Sequence, residues 1–233
     1  MLIKKLHVEK FLSLKDITVS FKRLTIIVGA NASGKTNVLS ALELLNKLML
    51  SEGLPSEEYI NRQLWAGCNN SEKHLQFEIE AEIEGNKMEY ILSLQAANKR
   101  IYLEQFFIED QKIIDIKENS GIVFDEKGGN KTSYSDEKMA LRSAGSYGEK
   151  PITRKFSEFL KDFKFYNFMP EIIRSDSMAS IMGKKSPLPS ILDDDGSVLR
   201  GILLNWHENY KGKFESVSEL YQFFQSRIII LFK

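Results

Sequence analysis

The sequence predicts an α/β fold in two parts, a strand–loop–helix core near the N-terminus and an antiparallel β-lobe inserted after it. Three observations lead there. A continuous apolar run at residues 24–28 meets a glycine-bounded loop and then an apolar pattern of helical period. From residue 74 a long stretch alternates apolar and polar residues around a central turn. Beyond residue 150 the period becomes helical again.

Taken in order, LIKKLHVE (2–9) mixes apolar and charged residues as a half-buried strand does. FLSLKDITVSF (11–21) suggests a second strand, with Lys15 and Asp16 near a turn. RLTIIVG (23–29) carries Leu24, Ile26, Ile27 and Val28 in one short run, the pattern of a central strand buried on both faces. TNVLSALELLNKLML then spaces Val38, Leu39, Leu42, Leu45, Leu48 and Met49 for one face of a helix. In HLQFEIEAEIEGNKMEYILSLQ, Leu75, Phe77, Ile79, Ala81 and Ile83 alternate with polar residues. EGNK turns, and Met88, Tyr90, Leu92 and Leu94 resume, which is a hairpin with one wet face. RIYLEQFFIEDQKIIDI and GIVFDEKGG add strands. The expected division is 1–73 core, 74–126 β-lobe, 127–150 flexible polar connection and 151–233 helical part. Helices are expected from about 152 to 165, from Gly196 to His207 and over 216–226.

Composition narrows the function classes. The chain has 233 residues, 42% hydrophobic and 27% charged, an ordinary globular balance. Thirty-two basic residues offset thirty-two acidic ones, so a chain-wide electrostatic footprint for nucleic acid is absent and only a local basic patch stays open. Cys68 is the single cysteine, which excludes an internal disulfide and makes a reducing cytoplasm the expected location. MLIKKLHVEKF lacks the apolar core of a signal peptide, and no apolar stretch reaches the roughly 20 residues of a membrane span.

The loop G-A-N-A-S-G-K-T, Gly29 to Thr36, matches GxxxxGK[ST] at every fixed position. Glycines let backbone approach phosphate oxygens closely, and successive N–H groups with a helix N-terminus make an anion nest. Gly29, Ala30, Asn31, Ala32, Ser33, Gly34, Lys35, Thr36 and Asn37 are the candidate nucleotide-binding residues. Lys35 would reach the β- and γ-phosphates, and the Thr36 hydroxyl would ligate Mg²⁺.

IKKLHVEKFLSLKD, then TIIVG, then NASGKTN resembles the N-terminus of RecF, SMC and OLD-type ATPases, which are ABC-like heads within the P-loop class. Asn37 after GKT is typical of that group. KMEYILSLQAANKRIYLEQFFI and LDDDGSVLRGILLNW resemble the β-lobe and a later helix start of AAA-family ATPases of bacterial defence and overcoming-lysogeny-defect type. The resemblance implies a P-loop NTPase core, ABC ATPase-head-like, that binds ATP with Mg²⁺ and hydrolyses it between two heads. It further implies a homodimer or higher oligomer, partners such as a nuclease or effector subunit, or DNA, and work in DNA repair or anti-phage defence; no membrane is implied. Relatives often carry Phe-Arg-Ser where this chain reads Phe11-Leu12-Ser13, so no contact of that Arg passes to Leu12.

Hydrolysis in the family also needs an acidic Walker B pair, a signature loop and often a sensing His, and none is evident in this sequence. GIVFDEKGG supplies Asp125 and Glu126 as catalytic candidates, against which an ordinary strand-to-turn exit is favoured, because a KGG turn follows at once. RSAGS (142–146) and DDDGS (193–197) are poor signature loops. Asp193, Asp194 and Asp195 favour helix capping over cation binding. His7, His74 and His207 are scattered; Trp65, Trp206 and the aromatic FKFYNFMP (163–170) favour packing; Lys184 and Lys185 read as a solvated patch; Gln63 and Gln105 carry no assignment. SELYQFFQSRIIILFK stops within an apolar run, read either as a terminal strand or as the edge of a truncated or split head. Two rivals stay open, a nucleotide-gated assembly module that does not hydrolyse ATP and a degenerate fragment.

Overall fold

A computed structural model describes residues 2–68, 73–96, 100–128, 130–135, 138–143, 149–168, 170–174 and 189–226. Within residues 2–135 lies one eight-stranded antiparallel sheet in the order β2-β1-β3-β4-β5-β6-β7-β8. The strands are β1 (Leu2–Phe11), β2 (Leu14–Ser20), β3 (His74–Ile83), β4 (Asn86–Gln95), β5 (Arg100–Ile108), β6 (Gln111–Lys117), β7 (Ser120–Phe124) and β8 (Lys131–Ser135). Alternation decides which face each residue takes. Leu75, Phe77, Ile79, Ala81 and Ile83 on β3 point one way and are buried, and Glu78 and Glu80 stand on the wetter face. Short loops then set the register. Ile83 pairs with Asn86 around Glu84 and Gly85, both at positive φ (52° and 86°), which suits a tight hairpin.

Two expectations change here. The first turn is at Leu12 and Ser13, where Phe11 pairs with Leu14, rather than near Lys15 and Asp16. The lobe is also not set apart from the N-terminal strands. β1 pairs with β3 from Leu2↔Glu82 to Glu9↔Gln76, so residues 1–73 and 74–126 share one sheet. The stretch 127–150 holds β8 and a short helix, α3 (Ala140–Ser143).

The buried face of the sheet packs under α1 (Lys35–Leu50), α3 and α4 (Pro151–Lys161). From α1, Val38, Ala41, Leu42, Leu44, Leu45, Leu48 and Met49 enter the core, each large one worth about 1.5–3 kcal/mol of burial. Phe106 stacks on Phe156 of α4 at 5.1 Å, and Tyr90 meets both rings edge-on at 6.4 and 5.9 Å. Asn46 is buried in α1 because its amide donates to Leu160 O (2.7 Å) and Lys161 O (2.9 Å), two carbonyls that α4 leaves open at its C-terminus. A second helix, α2 (Glu57–Gln63), starts on Ser56, whose hydroxyl accepts from Tyr59 N–H at 3.2 Å.

The run at 24–28 departs most from expectation. It belongs to no strand, and Leu24 (70% exposed), Ile26 (66%) and Val28 (74%) face solvent, with Ile27 more than a third exposed. The eight strands form their sheet without it, so its two-sided apolar character has no cover among the described residues.

The chain divides into two compact units, residues 1–163 and 164–233. The second holds α5 (Pro170–Arg174), α6 (Leu199–Asn209) and α7 (Lys211–Ser226). Asp193 accepts from Ser197 Oγ and from Val198 N–H (3.2 Å), and Asp195 accepts from Ser197 N–H (2.9 Å), which organises the entry into α6. Tyr166 and Phe168 pair at 5.6 Å but remain nearly half exposed, so these two are not the core residues the sequence suggested. Residues 144–146 of RSAGS, Lys184, Lys185 and the apolar run from 227 lie outside the described residues.

Candidate functional site

The loop at 29–37 leads straight into α1, which begins at Lys35. Ala32 (φ 62°) and Gly34 (φ 89°) both take the left-handed conformation, turning the chain sharply into the helix. At position 34 a Cβ would sit 3.0 Å from Leu14 Cδ2 and 3.1 Å from Ser13 Oγ, so close packing and dihedral both require glycine there. A Cβ at position 29 would lie 3.0 Å from Ser33 Oγ, inside the loop.

The Lys35 ammonium folds over this loop, donating to Gly29 O (2.8 Å), to Ala30 O and to Ser33 Oγ (3.4 Å). Those contacts hold one cation within the ring of backbone. The N-cap residue is Gly34, which has no side chain to cap α1, so among the described residues the N–H groups of its first turn are left for an outside acceptor. Thr36 is exposed and Asn37 half-buried, its amide donating to Ser13 Oγ at 2.7 Å. A loop of this build, with left-handed corners, a cation and an uncapped helix N-terminus, fits a chain of phosphates. Lys35 with the loop N–H groups would hold the β- and γ-phosphates of ATP, and Thr36 would supply a hydroxyl to Mg²⁺.

Asp125 and Glu126 follow β7, and both are engaged in packing. Asp125 pairs with the buried Lys150 at 3.0 Å, and that ammonium holds its carboxyl below the usual carboxylate range. Glu126 accepts from Ile152 N–H (3.1 Å), Thr153 N–H (2.6 Å) and Thr153 Oγ1 (2.8 Å) at the start of α4. Neither is brought into hydrogen-bond contact with the loop at 29–37.

The remaining candidates have local partners. His7 lies within 2.9 Å of Asp16, 3.7 Å of Glu9 and 3.6 Å of Glu78. Burial works against its charge, but these acids outweigh that and raise its pKa. His74 stacks on Tyr102 and His207 meets Phe214 edge-on. Among the described residues no cluster of three or more His, Cys, Asp or Glu could hold a metal ion. Lys15 sits 5.4 Å over the Trp65 ring. Gln105 donates to Asp115 at 2.7 Å, and the Gln63 carbonyl accepts from Leu12 N–H at 2.7 Å.

Two features escaped the sequence reading. Ser13 touches Asn37 across 24 positions, and no local pattern in the sequence signals that contact. Glu104 is fully buried, accepting from Tyr90 Oη (3.1 Å) and from Ala140 and Leu141 N–H (2.8 Å each). Strand parity could have found it, since Phe106 and Ile108 point inward on β5 and Glu104 shares their face.

The chain belongs to the AAA ATPase domain family, whose model matches residues 1–226. A similar relative is the DNA replication and repair protein RecF of Synechococcus sp. (strain JA-2-3B'a(2-13)), 30% identical over 101 residues, which are 43% of this chain and 24% of that protein. The match thus spans about a quarter of the relative's length. A solved structure from work on ATP-driven dimerization and DNA-stimulated activation of SMC ATPases is 22% identical. It covers 48% of this chain and 72% of its own at a TM-score of 0.33, a likeness too loose to fix the arrangement of elements. Among the described residues no helix is long and apolar enough to cross a membrane.

Proposed function

We propose that this chain binds MgATP at residues 29–37 and serves as an ATPase head in DNA metabolism. The observation that carries the reading is the uncapped start of α1 beside the Lys35 ammonium, held by the left-handed corner at Gly34. Gly29, Ala30, Asn31, Ala32, Ser33 and Gly34 wrap the phosphates, Lys35 neutralises them, Thr36 meets Mg²⁺ and Asn37 braces the turn. The core is read as the P-loop NTPase type. Similarity to a replication and repair protein favours DNA metabolism over anti-phage defence as its setting.

Turnover on this reading requires groups from another segment or another head. The engagement of Asp125 with Lys150 and of Glu126 with α4 supports that requirement. So does the exposed apolar run at 24–28, which a completing set of strands would cover. ATP held between two heads, with a nuclease or effector subunit or DNA as the responding partner, completes the proposal.

The test is thermal unfolding of the chain with and without MgATP. A ligand at 100 times its Kd adds about 2.7 kcal/mol. Wild-type protein is expected to gain that stability and Lys35→Ala to gain none. Thr36→Ala is expected to lose mainly the Mg²⁺-dependent part. Equal stabilisation of wild type and Lys35→Ala by nucleotide would overturn the site.

A further inference from the structure

We infer that Ser13 is a positioning residue for the phosphate loop, setting the first turn of α1 through Asn37 and Gly34; this rests on the reading of residues 29–37 as an ATP site. The Asn37 amide donates to Ser13 Oγ at 2.7 Å. Gly34 is pressed so close that a Cβ there would meet Ser13 Oγ at 3.1 Å and Leu14 Cδ2 at 3.0 Å. Since α1 has no side-chain cap of its own, this contact is what orients its opening turn.

The turn that carries Ser13 is built as a fixed peg. Lys10 (φ 57°) and Leu12 (φ 50°) are both left-handed without being glycine, a strain that persists only where surroundings over-determine it. Here they do. Phe11 between them is fully buried and meets Phe77 edge-on at 5.5 Å. Leu12 N–H donates to Gln63 O at 2.7 Å, Trp65 N–H donates to Lys10 O at 2.9 Å, and Phe11 bridges to Leu64. The peg is thereby anchored in the sheet and at the end of α2, and the exposed Ser13 hydroxyl is its contact with the loop's helix. A phosphate site gains affinity when its donors are already oriented, because binding then spends less on ordering them.

The test uses the full chain as wild type, Ser13→Ala, Ser13→Thr, Asn37→Ala, the Ser13→Ala/Asn37→Ala double variant and Lys35→Ala. MgATP affinity is measured by calorimetric titration, and hydrogen exchange of the first α1 amides is followed without nucleotide. Ser13→Ala is expected to bind MgATP about tenfold more weakly, the size of one hydrogen bond's net worth. Its α1 amides should exchange faster while its melting temperature stays at the wild-type value, since the side chain is exposed. Ser13→Thr should restore affinity, and Ser13→Ala should add no loss to Asn37→Ala. Wild-type affinity in Ser13→Ala, with Lys35→Ala silent, would overturn the positioning role and leave the ATP site standing. Independent losses in the double variant would overturn it too. Absence of MgATP binding by wild type would instead remove the site reading, and unchanged exchange in Ser13→Ala would then remove the peg as well.

Discussion

Glu126 accepts three hydrogen bonds at the first turn of α4, and that arrangement separates two roles for one carboxylate. α4 opens with Pro151, which has no N–H, after Lys150, which does not cap it by its side chain. The next two N–H groups, of Ile152 and Thr153, are therefore served from outside by Glu126. A negative charge at a helix start also suits its dipole. Glu126→Ala is expected to lower unfolding stability by about 1 kcal/mol, the usual worth of a cap, with MgATP affinity unchanged. Urea unfolding and calorimetry measure the two. Full stability with abolished turnover would mark Glu126 as a catalytic acid instead. Its neighbour Asp125 bears on acid behaviour. Lys150 holds its folded pKa below the unfolded value, so its contribution is present above the ordinary carboxylate range and is lost as pH falls through the folded value.

Among the elements, β5 and α3 are joined by a carboxylate with no cation against it among the described residues. Glu104 gathers Tyr90 Oη and the N–H groups of Ala140 and Leu141, the latter two 36 and 37 residues further along the chain. Burial raises its pKa to about 7, and the three donors only partly oppose that shift. The folded value lies above the unfolded one, so the folded state binds the extra proton between them. Its stabilisation is complete below the unfolded pKa of about 4.3 and is lost as pH rises through about 7. Melting measured from pH 4.5 to 8 is expected to show a downward component across that window in wild type, absent in Glu104→Gln, which cannot ionise. A slope that survives in Glu104→Gln would assign it to other groups. Glu104→Ala should cost more, about 1–3 kcal/mol for each N–H left unsatisfied in the core.

For the molecule as a whole, legibility followed the range of the interactions. The amphipathic α1 and the hairpin of β3 and β4 are encoded in adjacent residues, and the structure forms both as read. Longer pairings were not legible: β1 with β3 joins one sheet across 67 (Glu9↔Gln76) to 80 (Leu2↔Glu82) positions, and Ser13 reaches Asn37 from another turn. The run at 24–28 is the sharpest case. Consecutive Ile26, Ile27 and Val28 signal a preference for cover on both faces, but a sequence pattern does not say who provides it. With Ile26 66% exposed, the two states can be told apart by one charge. Ile26→Asp in the separate chain is expected to change urea-unfolding stability by no more than about 0.5 kcal/mol, as exposed substitutions do. A carboxylate buried without a partner would instead cost several kcal/mol. The same variant is expected to fail wherever the run is covered, so on the proposed function it should abolish turnover that depends on the covering segment or second head, while MgATP affinity of the separate chain holds. A large loss of stability in the separate chain would mean that 24–28 is already inside its own core.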